Sequence, residues 1–167
     1  MALNLESVSL RPEKPEDESF LFELYASTRA DELNALNLPP DQQTLFLKMQ
    51  FNAQQQGYRG MFPQAEFQII LLNEQPAGRW VVDRAANEIW LVDIALLPAH
   101  RGVGVGTKLI QRLFAEADAA RKSVRLTVLK NHRAMRLYQR LGFHKTGDLG
   151  LYDEMEWRTA PASGKKV

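Results

Sequence analysis

The stretch Trp90-Leu-Val-Asp-Ile-Ala-Leu-Leu-Pro-Ala-His-Arg-Gly-Val-Gly-Val-Gly106 decides the fold, because it predicts a buried strand that runs into a glycine-rich loop. Nearly every residue from Ile89 to Leu97 is apolar, which is typical of a strand buried on both faces. Pro98 then removes a backbone donor and ends the strand. Asp93 is the only carboxylate inside this strand, so it is a candidate for chemistry.

The residues after this strand predict an anion site at a helix N-terminus. Apolar residues recur at helical spacing between Thr107 and Lys122, namely at Leu109, Ile110, Leu113, Phe114 and Ala117. The glycines at 102, 104 and 106 therefore lie just ahead of a helix. Free amide groups and the positive end of the helix dipole attract anions there, and glycine lets a phosphate approach the backbone closely.

Two common phosphate-binding motifs do not match this spacing. A P-loop requires a lysine directly after its last glycine, whereas Gly106 is followed by Thr107 and only then by Lys108. A dinucleotide fingerprint requires a third glycine where Thr107 stands, and an acidic residue at the end of the next strand. That strand ends Leu126-Thr127-Val128, without a carboxylate. The loop is instead an Arg-x-x-Gly-x-Gly sequence that begins at Arg101.

A second motif follows the next strand. Asn131 is followed by Ala134, Leu137 and Tyr138 on one helical face, and the segment ends Leu141-Gly142-Phe143. In order and spacing, the two motifs resemble the acyl-CoA loop and the Asn…Leu-Tyr-x-x-x-Gly-Phe segment of the GNAT acyltransferase superfamily. Together they cover residues 88–147.

The resemblance implies an α/β fold with a GNAT-like mixed central sheet. Its N-terminal strands are antiparallel, a parallel pair splays around the acyl-CoA site, and helices cover both faces. The spacing of strand, helix and strand between 88 and 129 independently predicts a parallel pair. The resemblance further implies acetyl-CoA as cosubstrate. The residues it assigns to acetyl-CoA binding are Ile94, Ala95 and Leu96 through their main chain, then Arg101, Gly102, Val103, Gly104, Val105, Gly106, Thr107, Asn131 and Tyr138.

Attack by an amine requires a base, because a lysine-like ammonium has a pKa of about 10.4. A positioned base is typically worth about 10²- to 10⁴-fold in rate. Many relatives place this base on the strand before the loop or on the next parallel strand, but Trp90, Val92 and Thr127 occupy those positions here. Asp93 is therefore the leading candidate, directly or through water; alternatively it points into packing or pairs with an arginine. The candidates ranked below it are Glu88 and Asp83.

Tyr138 matches the general acid of the family, which protonates the departing CoA sulfur. The residues alone also permit a core role, because Tyr138 lies on an apolar stripe with Ala134, Leu137 and Leu141. Asn131 has two interpretations as well, as an amide that contacts CoA or as the cap of its helix. The same holds for Arg101, as a charge at the mouth of the site or a surface cation.

The remaining elements follow from periodicity and turn residues. Strands are predicted at 8–11, 67–72, 77–83, 123–129, 143–147 and 151–158, and helices at 17–36, 41–60 and 131–140. Asp17 and Asp41 are predicted to cap the first two helices. The second helix is predicted to bury Leu45, Phe46, Met49 and Ala53. Its many amide side chains then face solvent or, as the resemblance suggests, a polar substrate wall.

Composition narrows the function classes. The chain has 167 residues, 45% of them hydrophobic, a net charge of +1 and no cysteine. These values predict one domain and argue against nucleic acid as a partner. The resemblance implies that this domain, at 1–160, is a GNAT-like acyltransferase domain, and a flexible tail is expected at 161–167. The lack of cysteine excludes disulfides, thiolate metal sites and a thiol nucleophile. No metal site, signal peptide or membrane span is predicted, so the expected location is the cytoplasm.

The functional prediction is an N-acetyltransferase that transfers an acetyl group from acetyl-CoA to a primary amine by direct attack in a ternary complex. The acceptor is a small molecule or a peptide, which the sequence does not distinguish. The alternative is a non-catalytic acyl-CoA-binding or regulatory module of the same fold, suggested by the lack of a base at the usual positions. A homodimer is also expected, with the predicted strand at 151–158 as a pairing edge.

Overall fold

The computed structural model describes residues 7–159, which form seven strands and four helices. The strands are β1 (Val8–Pro12), β2 (Glu66–Leu72), β3 (Gln75–Arg84), β4 (Glu88–Leu96), β5 (Ser123–Leu129), β6 (His144–Asp148) and β7 (Tyr152–Trp157). The helices are α1 (Glu18–Ala35), α2 (Pro40–Met61), α3 (Val105–Ala120) and α4 (Ala134–Leu141). Short 3₁₀ turns occur at Pro15–Asp17 and Pro98–His100. The tail predicted at 161–167 lies outside the described residues.

The seven strands form one sheet in the order β1-β2-β3-β4-β5-β7-β6. Strands β4 and β5 are parallel, whereas β1 with β2, β5 with β7 and β6 with β7 are antiparallel. The parallel register comprises three pairs, Glu88–Trp90 opposite Ser123–Arg125. Both strands continue beyond these pairs, but Leu91 and Val92 do not extend the register. The predicted mixed α/β fold with one parallel pair is confirmed.

One compact unit comprises residues 7–81 and 93–105. Its core lies around the α1–α2 pair, where Phe51 meets the rings of Phe22 and Tyr25 at centroid distances of 5.7 Å each. The buried members of this cluster are Leu21, Tyr25, Leu33, Leu47, Phe51 and Ile69. Strands β2 and β3 are joined by Asn73 and Glu74, both at positive φ, which is the backbone of a tight two-residue hairpin turn.

The predicted buried face of α2 is wrong in phase. Leu45 and Met49 are 62% and 64% exposed, and Phe46 is 37% exposed, whereas Leu47 and Phe51 are buried. The inward face therefore includes positions between the large apolar residues, with Gln50 and Gln54 half-buried beside it. The helical periodicity of the apolar residues favoured the face with Leu45, Phe46 and Met49. In the folded protein α2 instead packs with the face that also carries the amide side chains.

Asp17 occupies the predicted N-cap position of α1, but its side chain does not cap the helix, and the predicted cap at Asp41 is wrong. The Asp17 carboxylate accepts a hydrogen bond from the backbone N–H of Lys14 at 2.8 Å, and so closes the 3₁₀ turn that precedes α1. It also accepts two hydrogen bonds from Arg11, each at 2.7 Å, and these hold the pKa of Asp17 below its usual range. Helix α2 begins at Pro40 with Pro39 as its N-cap, so Asp41 lies inside the first turn.

The second compact unit comprises residues 82–92 and 106–159. The predicted stripe of α3 is confirmed, since Leu109, Ile110, Leu113 and Ala117 are all buried. The fifth member, Phe114, stacks on Trp157 with ring centroids 4.0 Å apart and 8° between the planes. In this unit β7 pairs on one side with β5 and on the other with β6. The predicted edge at 151–158 is therefore wrong, because β6 covers it.

Two glycines of the first unit make a matched test of packing. Gly57 lies inside α2, with nothing within 4 Å of an added Cβ, so Gly57→Ala should raise the free energy of unfolding by about 0.5–1 kcal/mol. An added Cβ at Gly78 would lie 2.2 Å from the Ala95 carbonyl oxygen, so Gly78→Ala should lower it markedly. Urea denaturation measures both. A stabilising Gly78→Ala would contradict the close approach of β3 and β4.

Candidate active site

A small cavity lies in the first unit where α1 and α2 meet strands β3 and β4. Its volume is about 40 Å³, room for about three waters. Apolar side chains and a few polar ones converge there. The lining residues are Leu21, Leu24, Tyr25, Thr28, Phe51, Gln54, Arg79, Asp93 and Ala95. Of the two candidate bases on β4, only Asp93 faces this cavity.

Asp93 combines partial burial with an unusual pKa. Its side chain is 20% exposed, and Oδ2 lies 4.0 Å from Nη1 of Arg79, too far for a hydrogen bond. Burial raises the pKa of Asp93 to about 6, an effect that Arg79 opposes and the nearby Glu13 reinforces. Such a carboxylate is mostly ionised at neutral pH but accepts a proton more readily than an ordinary aspartate. Asp93 therefore lines the cavity, where a base could act, and also lies near an arginine, which was the alternative interpretation of its sequence position.

Arg79 and Glu13 are site residues that the sequence did not reveal. Nε of Arg79 donates to Oε1 of Glu13 at 2.8 Å, and the two side chains are only 3% and 7% exposed. Burial raises the pKa of Glu13, although Arg79 opposes the rise. Nη2 of Arg79 is buried and has no hydrogen-bond partner among residues 7–159. The sequence signal that could have revealed this pair is Arg79 itself. It is an arginine in the apolar run of β3, where a buried charge without a partner is energetically costly.

The amide face of α2 contributes to this cavity. Gln54 lines it, and the hydroxyl of Tyr25 donates to Oε1 of Gln50 at 3.5 Å. On α1, the Thr28 hydroxyl is turned back onto its own helix, because it donates to the Tyr25 carbonyl oxygen at 2.7 Å. The amides therefore do not all face solvent, and Gln54 forms part of a polar wall.

Glu88 has a different environment from Asp93. It accepts a hydrogen bond from Nε1 of Trp90 at 2.9 Å and one from Nη1 of Arg125 at 3.1 Å. Burial alone would raise its pKa, but these two donors hold the pKa of Glu88 below its usual range. A carboxylate stabilised in its charged form is a weak base. By this argument Glu88 is a weaker candidate base than Asp93, whose role as the base stays a prediction.

The glycine loop is shorter than the sequence predicts, because α3 begins at Val105 and Gly106 lies inside its first turn. Gly102 and Gly104 have φ values of 72° and 95°, in the left-handed region that favours glycine. Nothing lies within 4 Å of an added Cβ at Gly102, and α3 begins directly after the loop at Val105. An open glycine loop at the start of a helix fits the pyrophosphate of acetyl-CoA, which requires donors and close backbone approach.

Arg101 is neither a free surface cation nor a charge directed only at solvent. Its Nε donates to the Leu96 carbonyl oxygen at 2.8 Å, and its Nη2 donates to the Ser27 hydroxyl at 3.3 Å. The side chain is half-buried. Arg101 therefore fastens the start of the loop to the end of β4 and to α1. This contact also uses the carbonyl of Leu96, one of the three main-chain positions expected to contact acetyl-CoA.

In the second unit, α4 begins at Ala134 with Arg133 as its N-cap, so Asn131 does not cap it. Asn131 lies in the preceding turn at φ 64°, and Nδ1 of His132 accepts a hydrogen bond from the Ala134 N–H at 3.1 Å. Tyr138 is 7% exposed, and its ring meets Phe143 edge-on at 5.6 Å. Gly142 ends the helix at φ 102°, as a left-handed cap.

Across residues 7–159, no group of three or more His, Cys, Asp or Glu side chains is arranged to hold a metal ion. Over the same span, no helix has the length and apolar character that crossing a membrane would need.

Comparison with solved structures places this fold among acetyltransferases. The PaiA N-acetyltransferase of Thermoplasma acidophilum, solved in complex with coenzyme A, superposes with a TM-score of 0.68 at 16% identity, over 92% of this chain and 99% of that one. An acetyltransferase of Thermus thermophilus gives 0.66 at 19% identity, over 95% and 100%. A GNAT family acetyltransferase of Elizabethkingia anophelis with acetyl-CoA bound gives 0.57 at 12% identity, over 92% and 99%.

The sequence comparison is more specific than these structural likenesses. The family model for the acetyltransferase (GNAT) family matches residues 30–143, which is more than half of the chain and includes β4, the glycine loop and the Asn131–Phe143 segment. On this evidence the chain belongs to the acetyltransferase (GNAT) family.

Proposed function

We propose that the chain is an N-acetyltransferase that transfers an acetyl group from acetyl-CoA to a primary amine by direct attack in a ternary complex. The observation on which this rests is Asp93, an aspartate with a pKa of about 6 that lines a cavity in a chain of this family. If the chain were instead a non-catalytic acyl-CoA-binding or regulatory module, a partly desolvated carboxylate of this kind would have no catalytic role.

Asp93 is the general base in this proposal. Its carboxylate takes a proton from the bound ammonium, so the nitrogen lone pair becomes available for attack. At pH 7 most of the Asp93 population is ionised, because its pKa is about 6. A second proton leaves the nitrogen as the amide forms, and it passes to solvent or to a second base. The chain has no cysteine to hold the acyl group, which supports direct attack.

Acetyl-CoA supplies the activated acetyl group as a thioester. The residues proposed to bind it are the main chain of Ile94 and Ala95 and the segment from Gly102 to Thr107, which comprises the glycine loop and the first residues of α3. The glycines at 102 and 104 support this role, because they have no side chain and a phosphate can approach their backbone closely. The two compared structures that were solved with coenzyme A or acetyl-CoA also support it.

Tyr138 is proposed as the general acid that protonates the leaving sulfur. A phenol pKa near 10 and a thiol pKa of about 8.5 make this transfer slightly uphill, so Tyr138→Phe should lower kcat by about 10- to 10³-fold. Its buried ring remains, so the melting temperature should be retained. Tyr152→Phe is the control, since Tyr152 is 45% exposed on β7. A Tyr138→Phe variant with normal kcat and a lower melting temperature would make Tyr138 a core residue only.

The test of the function is amine-dependent release of free CoA thiol from acetyl-CoA, with the acetylated amine identified by mass spectrometry. We expect turnover that requires both substrates and yields an N-acetyl product. Tight acetyl-CoA binding without turnover across amino acids, peptides, polyamines and aminoglycosides would favour the non-catalytic module instead.

A further inference from the structure

This inference rests on the proposed function and concerns the class of amine that the cavity accepts. Two opposite charges line the cavity at ion-pair distance, but without a hydrogen bond between them. Oδ2 of Asp93 and Nη1 of Arg79 are 4.0 Å apart, beyond hydrogen-bond range. Arg79 is held in place from behind, because its Nε is bonded to the buried Glu13.

The remaining donor of Arg79 is also unsatisfied. Its Nη2 is buried and has no hydrogen-bond partner among the described residues, and the whole side chain is only 3% exposed. Nη2 is enclosed by protein, so Nη1, 4.0 Å from the carboxylate proposed to take the amine, is the Arg79 nitrogen that remains for an oxygen acceptor.

The spacing suits a ligand whose amine and oxygen are close together. With hydrogen bonds of about 2.8 Å at each end, the 4.0 Å gap between Asp93 and Arg79 accommodates a nitrogen and an oxygen that are about 3 Å apart. An amine nitrogen and a carbonyl oxygen on the neighbouring carbon have this separation. We infer that the acceptor is an α-amino carbonyl compound, with its ammonium on Asp93 and its oxygen on Arg79.

The same geometry disfavours diamines and polyamines. Their second ammonium would approach the guanidinium of Arg79, which remains charged at every accessible pH. The rest of the lining offers no second carboxylate, because it consists of apolar side chains and the uncharged polar side chains of Tyr25, Thr28 and Gln54.

The acidity of the amine also favours this class. A peptide α-ammonium has a pKa of about 7.7–8.0, against about 10.4 for a lysine-like ammonium. Asp93, with a pKa of about 6, is therefore better matched to a peptide α-ammonium than to a lysine-like ammonium.

The test compares alaninamide with sec-butylamine, which has the same branched amine but no oxygen, and adds free alanine, putrescine and spermidine. We expect kcat/KM for alanine or alaninamide to exceed that for sec-butylamine and for the polyamines by about 10- to 100-fold, as one charged hydrogen bond allows. A higher value for alanine points to free amino acids, and a higher value for alaninamide to peptide N-termini. Equal or better use of sec-butylamine or spermidine would overturn the inference while leaving the proposed function intact.

Variants test whether Arg79 causes the expected preference for alaninamide over sec-butylamine. Changing Glu13→Gln together with Arg79→Gln removes both buried charges at once, and should abolish the preference for alaninamide over sec-butylamine. Arg59→Gln is the matched control, because Arg59 also contacts Glu13, at 3.4 Å, but is 57% exposed and does not line the cavity. If the double variant does not fold, the wild-type panel still decides.

Failure of the proposed function is distinguishable from failure of the inference. If no amine is acetylated, calorimetric titration of wild-type protein with alaninamide and sec-butylamine replaces the rate comparison. Preferential binding of alaninamide would then support the cavity's ligand class without catalysis, and equal or undetectable binding of both would overturn it.

Discussion

Asp93→Asn is expected to lower kcat at pH 7.5 by about 10²- to 10⁴-fold, the contribution of a positioned general base. Asparagine keeps the shape of the side chain but cannot accept a proton from the ammonium. Acetyl-CoA affinity should stay close to normal, because the proposed cosubstrate contacts of β4 use main chain. The measurement is steady-state thiol release at saturating acetyl-CoA and amine. Asp83→Asn is the control and should leave kcat unchanged, since Asp83 does not line the cavity.

The same variant should be more stable than wild type above pH 6. Because the pKa of Asp93 is higher in the folded protein than its ordinary value of 3.8, the folded state binds the extra proton between about pH 4 and 6. Wild-type stability therefore falls as pH rises through this window, by at most about 3 kcal/mol. Asp93→Asn lacks this loss, so its melting temperature should exceed that of wild type at pH 8 and approach it below pH 4. A variant that is less stable at pH 8 would contradict the assigned environment of Asp93.

Gly104→Val is expected to weaken acetyl-CoA binding by about 100-fold or more. The φ of Gly104 is 95°, which a β-branched residue adopts only with strain, so the loop amides move away from the pyrophosphate. Loss of two charge-assisted hydrogen bonds is sufficient for this factor. Isothermal titration calorimetry of the folded variant with acetyl-CoA measures it.

Gly150→Val separates backbone strain from ligand binding. Gly150 has a φ of 86° and open space around it, but it lies in the turn between β6 and β7. Both variants should lose stability, and only Gly104→Val should lose acetyl-CoA affinity. Unchanged affinity in folded Gly104→Val, or an equal loss in Gly150→Val, would remove the glycine loop from the binding site.

The sequence predicted the elements whose signals are local. Pro98 and the glycines at 102 and 104 act on their own backbone, so the end of β4 and the loop before α3 were predictable to within about two residues. The apolar stripe of α3 is similarly local, and its buried positions are as predicted.

The sequence did not predict features that depend on distant partners. Asp17 would have capped α1, but Arg11 and Lys14 recruit its carboxylate to a separate turn. The face of α2 was wrong because two helical stripes competed, and only packing against α1 and β2 selected Leu47 and Phe51. The surroundings of Asp93 depend on the Arg79–Glu13 pair, whose members are 66 residues apart. No local pattern signals such a pair.

The most direct test of the central claim is the pH dependence of kcat/KM for the amine, measured side by side for wild type and Asp93→Asn between pH 5 and pH 8. Titration of the amine itself is common to both proteins, so the ratio of the two profiles isolates Asp93. The proposed mechanism predicts that this ratio rises with pH and levels off above a midpoint near 6, the pKa of Asp93. A ratio that is constant across the range would show that Asp93 is not the base.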